Sequence, residues 1–498
     1  MAAAGTRRKN RYALTLALAL LLAFIASPRP APAGDDPDLD LRKEPVPFLD
    51  SEDLPKRAGA LIELGRGINE GGQLDDGIEI PTGAVWQPAL WIYGSLRTAV
   101  LSTDGDRRTR RNGDVSELRS RLDVFANLQL AGTERIQAHM RPVDKAGRFA
   151  GQTLSPSSAK TAYKADWDDD FETLFFEGDI GEMFPRLDPR DQGGWDIGFA
   201  VGKFPVELQN GYLVRDEMTA VGLSKNNIRF PGSSGMRVLG LWAFHHVNES
   251  GNARDRRDVD LFALSVEGDF PWGLLEVDIG GTVADKRRGN QINGGIGWTG
   301  HFGIHNTSVH ANFSSHTNQT IDAARGLNVL PNGVEKDYDG TLLVLGYSRE
   351  IGLQHDLIYA TGYWANGYFG RLASNASPTL GPIGLSFAGV GLGAYRPALW
   401  PAPLDSLGAV VGVQRFLLEE RANVTLELAH RYDLAQDDPF GNTSGFAVTT
   451  RIQYKIAERF MLQLDAFYAV HSDDSGPPQD AESDEDSSAV RLELRVGL

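Results

Sequence analysis

Arg119 and Arg121 stand one residue apart in a stretch that places a polar or charged side chain at almost every second position. Arg135, His139 and Arg141 repeat the pattern shortly afterwards. In extended chain a period of two puts such residues on one face. Arg97 and Arg237 extend this basic set, and Glu117, Asp123, Glu276, Asp278, Glu427 and Asp465 form an acidic counterpart in similar alternating segments. The chemistry open to these sets is electrostatic. In a water-filled lumen the basic cluster attracts anions, and an opposing acidic wall creates a transverse field that orients dipolar solutes. A dry core would not tolerate them, because each unpaired buried charge costs several kcal/mol. The alternative is that they pair across neighbouring strands and only stiffen a wall.

Signatures of covalent chemistry are scarce. There is no cysteine, so disulfides, thiolate metal sites and covalently attached c-type haem are excluded. His245 and His246 with Asp255 could suggest a metal cluster, but adjacent strand residues point to opposite faces. His139, His310 and Ser308 are the inward His/Ser positions a hydrolase could use. No nucleophile elbow, phosphate loop or zinc-binding helix motif occurs. The expectation is a non-enzyme without cofactor or metal.

The elements that must position these residues are strands. Val490, Leu492, Leu494, Val496 and Leu498 alternate with Arg491, Glu493, Arg495 and Gly497 up to the carboxyl end. Leu118 to Leu130 and Arg135 to Arg141 read as a hairpin with one apolar and one charged face, interrupted only by Phe125. Comparable alternation recurs around Val277, Val309, Leu426, Ile452 and Leu464. Long and short gaps between segments also alternate, with one lapse at 286–289, as they do in barrels with short turns on one side and long loops on the other. The obvious strands number seventeen; an extra one within 208–222 restores an even count. The expected fold is therefore all-β: a transmembrane antiparallel β-barrel of about 18 strands, with 16 as the fallback. So large a sheet would not stay open, and closure removes its edges.

The amino-terminal region is distinct. Arg7, Arg8, Lys9 and Arg11 precede the apolar run Ala13 to Ala26, and Ala31-Pro32-Ala33 offers small residues for cleavage. Residues 1–33 thus read as a signal peptide, 34–84 as a lead-in or plug, and 85–498 as the barrel. Net charge is −17, which argues against nucleic acid as a partner. The acids concentrate in expected loops, including Asp168 to Asp170 and 473–486, where they suit either solvation or cation bridging to anionic lipid. The gap 369–405 is rich in glycine and proline yet carries Leu385, Phe387 and Val390 beside Pro382. So apolar a loop should not stand in water; folding into the lumen would make it a constriction, whereas the alternatives are packing over the mouth or an interface between protomers.

With signal, alternating strands and terminal strand in place, residues 85–498 resemble Gram-negative outer-membrane porins. Leu498 stands where that class usually ends in phenylalanine. Leu118-Arg119-Ser120-Arg121-Leu122 and Val201-Gly202-Lys203-Phe204 are similar in placement to segments of the alginate-export type of barrel. The resemblance implies a passive, water-filled outer-membrane channel for small hydrophilic solutes, with a modest preference for anions, assembled by the barrel-insertion machinery into lipid and lipopolysaccharide. It leaves the solute and any homo-oligomer open. Other readings are a barrel sheathing a partner in an export or electron-transfer conduit, an outer-membrane hydrolase, and a structural surface protein.

Overall fold

The computed structural model describes residues 58–68, 77–104, 115–145, 148–154, 163–187, 189, 194–248, 259–284, 290–317, 339–351, 356–375, 377–390, 392–434, 444–472 and 486–498. Asp255 and most of 34–84 and 473–486 lie outside them. Eighteen strands make the wall. The first six are β1 (Ala89–Asp104), β2 (Val115–Gln129), β3 (Arg135–Met140), β4 (Phe171–Asp179), β5 (Ile197–Leu208) and β6 (Val214–Ile228). Next come β7 (Gly235–His245), β8 (Val259–Phe270), β9 (Gly273–Ala284), β10 (Asn290–Phe302), β11 (His305–Thr317) and β12 (Gly340–Ile351). The circuit ends with β13 (Asp356–Tyr368), β14 (Leu404–Leu417), β15 (Ala422–Asp433), β16 (Gly445–Ala457), β17 (Phe460–His471) and β18 (Asp486–Gly497). Each pairs antiparallel with the next, and β18 returns to β1 from Ser488↔Asp104 to Gly497↔Ser95. The barrel is closed.

Alternation sorts the side chains between two environments. On β18, Val490, Leu492 and Leu494 are exposed on the outer surface while Arg491 and Glu493 are buried inside. On β9, Val277 and Ile279 face out and Asp278 faces in; on β11, Phe313 faces out and His310 and Asn312 face in. The outer face thus carries an apolar belt that includes Val100, Leu264, Ile296, Leu345 and Val411, all highly exposed. Apolar surface this extensive belongs in hydrocarbon, where a closed ladder leaves no backbone group unpaired. Among the described residues no helix is long and apolar enough to cross a membrane.

The connections depart from strict alternation at three places, one of them the short link 285–289 between β9 and β10 on the long-loop side. The link between β4 and β5 (180–196) is on the short-turn side yet long, and begins with a four-residue helix, Ile180–Met183, capped by Asp179. The link between β5 and β6 is on the long-loop side yet spans only 209–213. Its brevity has a structural reason. β5 pairs with β4 only over Gly198–Lys203 and β6 with β7 only over Thr219–Ile228, whereas β5 and β6 pair with each other as far as Leu208↔Val214. The hairpin from 204 to 218 has left the wall and lies across the lumen. The expected extra strand within 208–222 is therefore displaced: Leu208 ends β5, 209–213 turn, and β6 runs on to Ile228.

The described part of the lead-in adds to the rim. Ile62–Leu64 pairs with Leu90–Ile92 of β1, and Arg459 Nη2 donates to the Gly59 carbonyl at 3.0 Å.

Candidate lumen site

Two inserts narrow the barrel. The infolded hairpin turns Phe204, Val206, Leu208, Val214 and Met218 against Leu241, Ala243, Leu261 and Ala263, the inward residues of β7 and β8. Burying several side chains of this size at about 1.5–3 kcal/mol each fixes the hairpin in place. Its tip reaches the far wall. Gln209 Nε2 donates to Asp278 at 2.7 Å, its backbone N–H donates to Glu276 at 3.1 Å, and Asn210 Nδ2 lies 3.1 Å from His310 Nε2. Gln209 and Asn210 both adopt left-handed φ, 53° and 52°, to make this turn. Glycine makes room for them: a Cβ on Gly295 would overlap Asn312 Oδ1 and approach Gln209 Cγ at 2.8 Å. Gly295→Val is therefore expected to dislodge the tip at a steric cost of about 1–3 kcal/mol. Single-channel conductance should rise modestly while the folded barrel persists; an unaltered trace would mean the tip does not bound the path.

The second insert is the loop 369–403. Ala373–Ser374 pairs parallel with Val214–Arg215, joining the loop to the hairpin. Arg371 organises its start, donating to Ser377, Pro378 and Thr379 oxygens at 2.8–3.3 Å; burial lowers its pKa to about 10. Leu380, Ile383, Phe387 and Leu399 then pack on Leu342, Val344, Tyr363 and Val410, inward residues of β12 to β14. Further along, Arg97 Nη2 donates to the Val390 carbonyl at 3.4 Å, and the Ala394 N–H donates to Glu117 at 3.1 Å. The loop thus crosses from β13 to β2 inside the barrel. Of the four residues expected to form a constriction, Pro382 borders an open cavity, Leu385 and Val390 are half-buried, and Phe387 is fully buried edge-on against Tyr363. Phe387 anchors the loop and does not face the passage.

The basic residues gather on one side. Glu493 accepts from Arg97 at 2.7 Å, Arg491 at 2.8 Å and Arg495 at 2.5 Å. Asp465 accepts from Arg451 at 2.6 Å and Arg491 at 3.0 Å. Asp123 takes Arg121 at 2.7 Å, His139 at 3.0 Å and Arg141 at 3.2 Å, and Arg141 also meets Glu172 at 3.4 Å. Arg119 pairs with Glu117 at 2.7 Å. On β16–β18 and β1–β3, including Arg141 just past β3 and Glu172 of β4, seven of these arginines meet five carboxylates, a surplus of two positive charges. Arg135 pairs with Glu177, and Arg237 with Glu267 at 2.5 Å near the short-turn rim.

The acids differ from expectation in their access to the lumen. All six point inward, but Asp278 is covered by Gln209, and Glu427 is covered by the loop, accepting from Ser386 and Tyr359. Glu117, Asp123 and Asp465 are buried among arginines, and Glu276 receives the Gln209 N–H. Hydrogen bonding explains this: a lumen carboxylate is the strongest acceptor available to an insert. Sequence reasoning also passed over Arg451, Arg491, Glu493 and Arg495 as lining residues, although their alternation was equally clear. Tyr93, Phe125 and His139 form a stack on adjacent strands, with ring centroids 5.5 and 4.2 Å apart. Phe125, an interruption in the charged face, is its centre.

His245 and His246, expected to point to opposite faces, do not: His246 takes a left-handed φ of 60°, strand alternation lapses, and the ring centroids lie 4.0 Å apart. His246 Nδ1 is 2.8 Å from Thr219 Oγ1.

Two cavities border the hairpin. One of about 320 Å³ is bordered by Glu207, Arg215, Ser308, His310, Thr361 and Pro382. The other, about 180 Å³, lies between Tyr93, Phe125, Phe175, Arg141, Pro205 and Glu217.

No protein-family model matches the sequence, and no curated protein is significantly similar to it. Among solved structures, the chain is similar in fold to Pseudomonas aeruginosa OpdQ and to a BenF-like porin from Pseudomonas fluorescens Pf-5. Each has TM-score 0.50 and 10% identity; the matches cover 82% of this chain and 97% and 98% of theirs. At that identity the likeness speaks for the closed porin-type barrel.

Proposed function

We propose that the protein is a passive outer-membrane channel for small hydrophilic solutes, with a preference for anions. The short-turn rim then faces the periplasm and the long loops face outward. The observation that carries this reading is a closed barrel whose lumen is narrowed by two anchored inserts and lined on one side by surplus arginine. Such a lumen has a defined bore and a field that favours negative charge. The porin likeness supports the same reading, including the outer membrane of a Gram-negative bacterium as its place. The alternating Val490, Leu492, Leu494 and Val496, ending at Leu498, suit recognition by the barrel-assembly machinery, and the outer belt suits lipid and lipopolysaccharide. The reading stops short of alginate as the solute, since short segments alone suggested that type of barrel.

Reconstitution into a planar bilayer tests it: discrete conductance steps with an anion-favouring reversal potential are expected. Arg119→Glu with Arg121→Glu should move that potential toward cations, because each swap changes the basic wall by two charges. A potential that stays in place would remove these arginines from the conducting path.

A further inference from the structure

Most inward carboxylates of this barrel are matched by donors. Glu117, Asp123, Asp465 and Glu493 meet arginines, and Glu427 takes three hydrogen bonds from Ser386 and Tyr359. Glu276 and Asp278 are different. They stand two residues apart on one face of β9, with their carboxyl groups in contact. Asp278 is fully buried and Glu276 half-buried. Among the described residues neither forms an ion pair, and each takes one hydrogen bond, both from Gln209. Glu267, the next carboxylate to act on Glu276, is matched by Arg237. His310 adds no charge, because its Nε2 accepts from Asn210 Nδ2 and its Nδ1 donates to Gln209 Oε1 at 3.3 Å. Two carboxylates in contact do not both stay charged without a cation or a proton between them.

The neighbouring polar atoms decide between these two. Asp278 Oδ1 is buried without a partner, and so are both amide atoms of Asn312, a residue only 1% exposed. Asp278, Gly295 and Asn312 form one cross-strand row, so Asn312 faces Asp278 across a glycine. Asn312 Oδ1 reaches over that glycine to where its Cβ would stand, and Gln209 Cδ comes within 3.1 Å of the same point. Gln209 uses Oε1 of Glu276 and Oδ2 of Asp278. Oε2 of Glu276, Oδ1 of Asp278 and Oδ1 of Asn312 are left over. A proton shared by the carboxyls would remove one charge and leave Asn312 unsatisfied. A cation that carries its own water offsets both charges, and its water donates to the amide oxygen.

We propose that Glu276, Asp278 and Asn312 hold one divalent cation beneath the hairpin tip. Two carboxylates match a charge of two, and donors that are all oxygen select a hard ion. Calcium accepts an irregular set of side chains and water, whereas magnesium demands near-octahedral geometry. The ion holds the same carboxylates that bind Gln209, so it also steadies the tip.

Equilibrium dialysis of the refolded, lipopolysaccharide-free barrel against radioactive calcium tests this without relying on conduction. Asp168, Asp169 and Asp170 bring their carboxylates within 4.8 Å of one another on the long-loop side. They are therefore replaced by asparagine in every protein compared, the reference included. At about 1 mM free calcium, the weak end of the range for extracellular sites, Glu276→Gln with Asp278→Asn should release one equivalent per chain. Asn312→Ala should bind that equivalent about fivefold more weakly. Heat-modifiable gel mobility shows whether each variant is folded; if the double variant is not, Asn312→Ala decides alone. Equal calcium content in the reference and the folded double variant overturns the site and leaves a shared proton in its place. An unchanged affinity in Asn312→Ala overturns it equally.

Discussion

Deletion of Ser377 to Tyr395 should raise single-channel conductance on the order of threefold, the largest change expected from any single alteration of this barrel. An eighteen-stranded wall by itself encloses an aqueous channel, and what narrows this one is inserted chain. The deleted segment contributes Pro382 to the larger cavity, Phe387 to the apolar cluster beneath it, and Val390 and Ala394 to the bridge toward Arg97 and Glu117. The strand ladder is independent of these contacts, since β13 and β14 pair directly from Leu357↔Gln414 to Ala365↔Ser406. The truncated protein should therefore still run as a folded, heat-modifiable barrel. Conductance that matches the intact protein in such a barrel would show that the loop lies aside from the current.

The second large effect concerns stability. Glu493 is fully buried and accepts from three guanidiniums, those of Arg97, Arg491 and Arg495. Replacing it by glutamine leaves Arg491 with Asp465 as its one carboxylate and, among the described residues, leaves Arg97 and Arg495 with no carboxylate partner. Removing one partner from a buried charged cluster typically costs about 3–5 kcal/mol. Glu493→Gln should lower the temperature at which the folded gel band converts to the unfolded one, and should shift the reversal potential further toward anions. The paired variant Glu493→Gln with Arg97→Gln removes one excess charge and should recover part of the loss. A conversion temperature unchanged in the single variant would mean that lumen water, rather than Glu493, compensates these arginines.

Much of the wall was legible from local pattern. On β2, β11 and β18 the side chains fall on the faces that their period of two assigns them, because strand geometry leaves no other choice once a register is set. The same pattern could not say what each face meets. Leu241, Ala243, Leu261 and Ala263 are apolar yet turned inward, with Trp242, Phe244 and Phe262 turned out. Both faces of β7 and β8 are thus apolar, and only the infolded hairpin explains the inner one. That hairpin left no local trace: Gln209 meets Asp278 across 69 residues, and Asn210 meets His310 across 100. Coverage of Asp278 and Glu427 was invisible for the same reason. Their phase is a property of their own strands, while their burial belongs to a distant insert. The loop 369–403 was more readable, because its apolar content on the long-loop side required some cover.

The seam between β1 and β18 joins the two ends of the barrel sequence, and backbone hydrogen bonds between Gly94 and Leu498 complete it. This pairing has the greatest sequence separation in the wall, so it bears the heaviest loop-closure entropy and forms late. By then the hairpin and the long loop must already be aimed inward, much as rigging is folded before a hull is sealed. Biogenesis of this molecule is accordingly a matter of timing: an insert still outside when the circumference shuts would have to enter afterward through the open mouth.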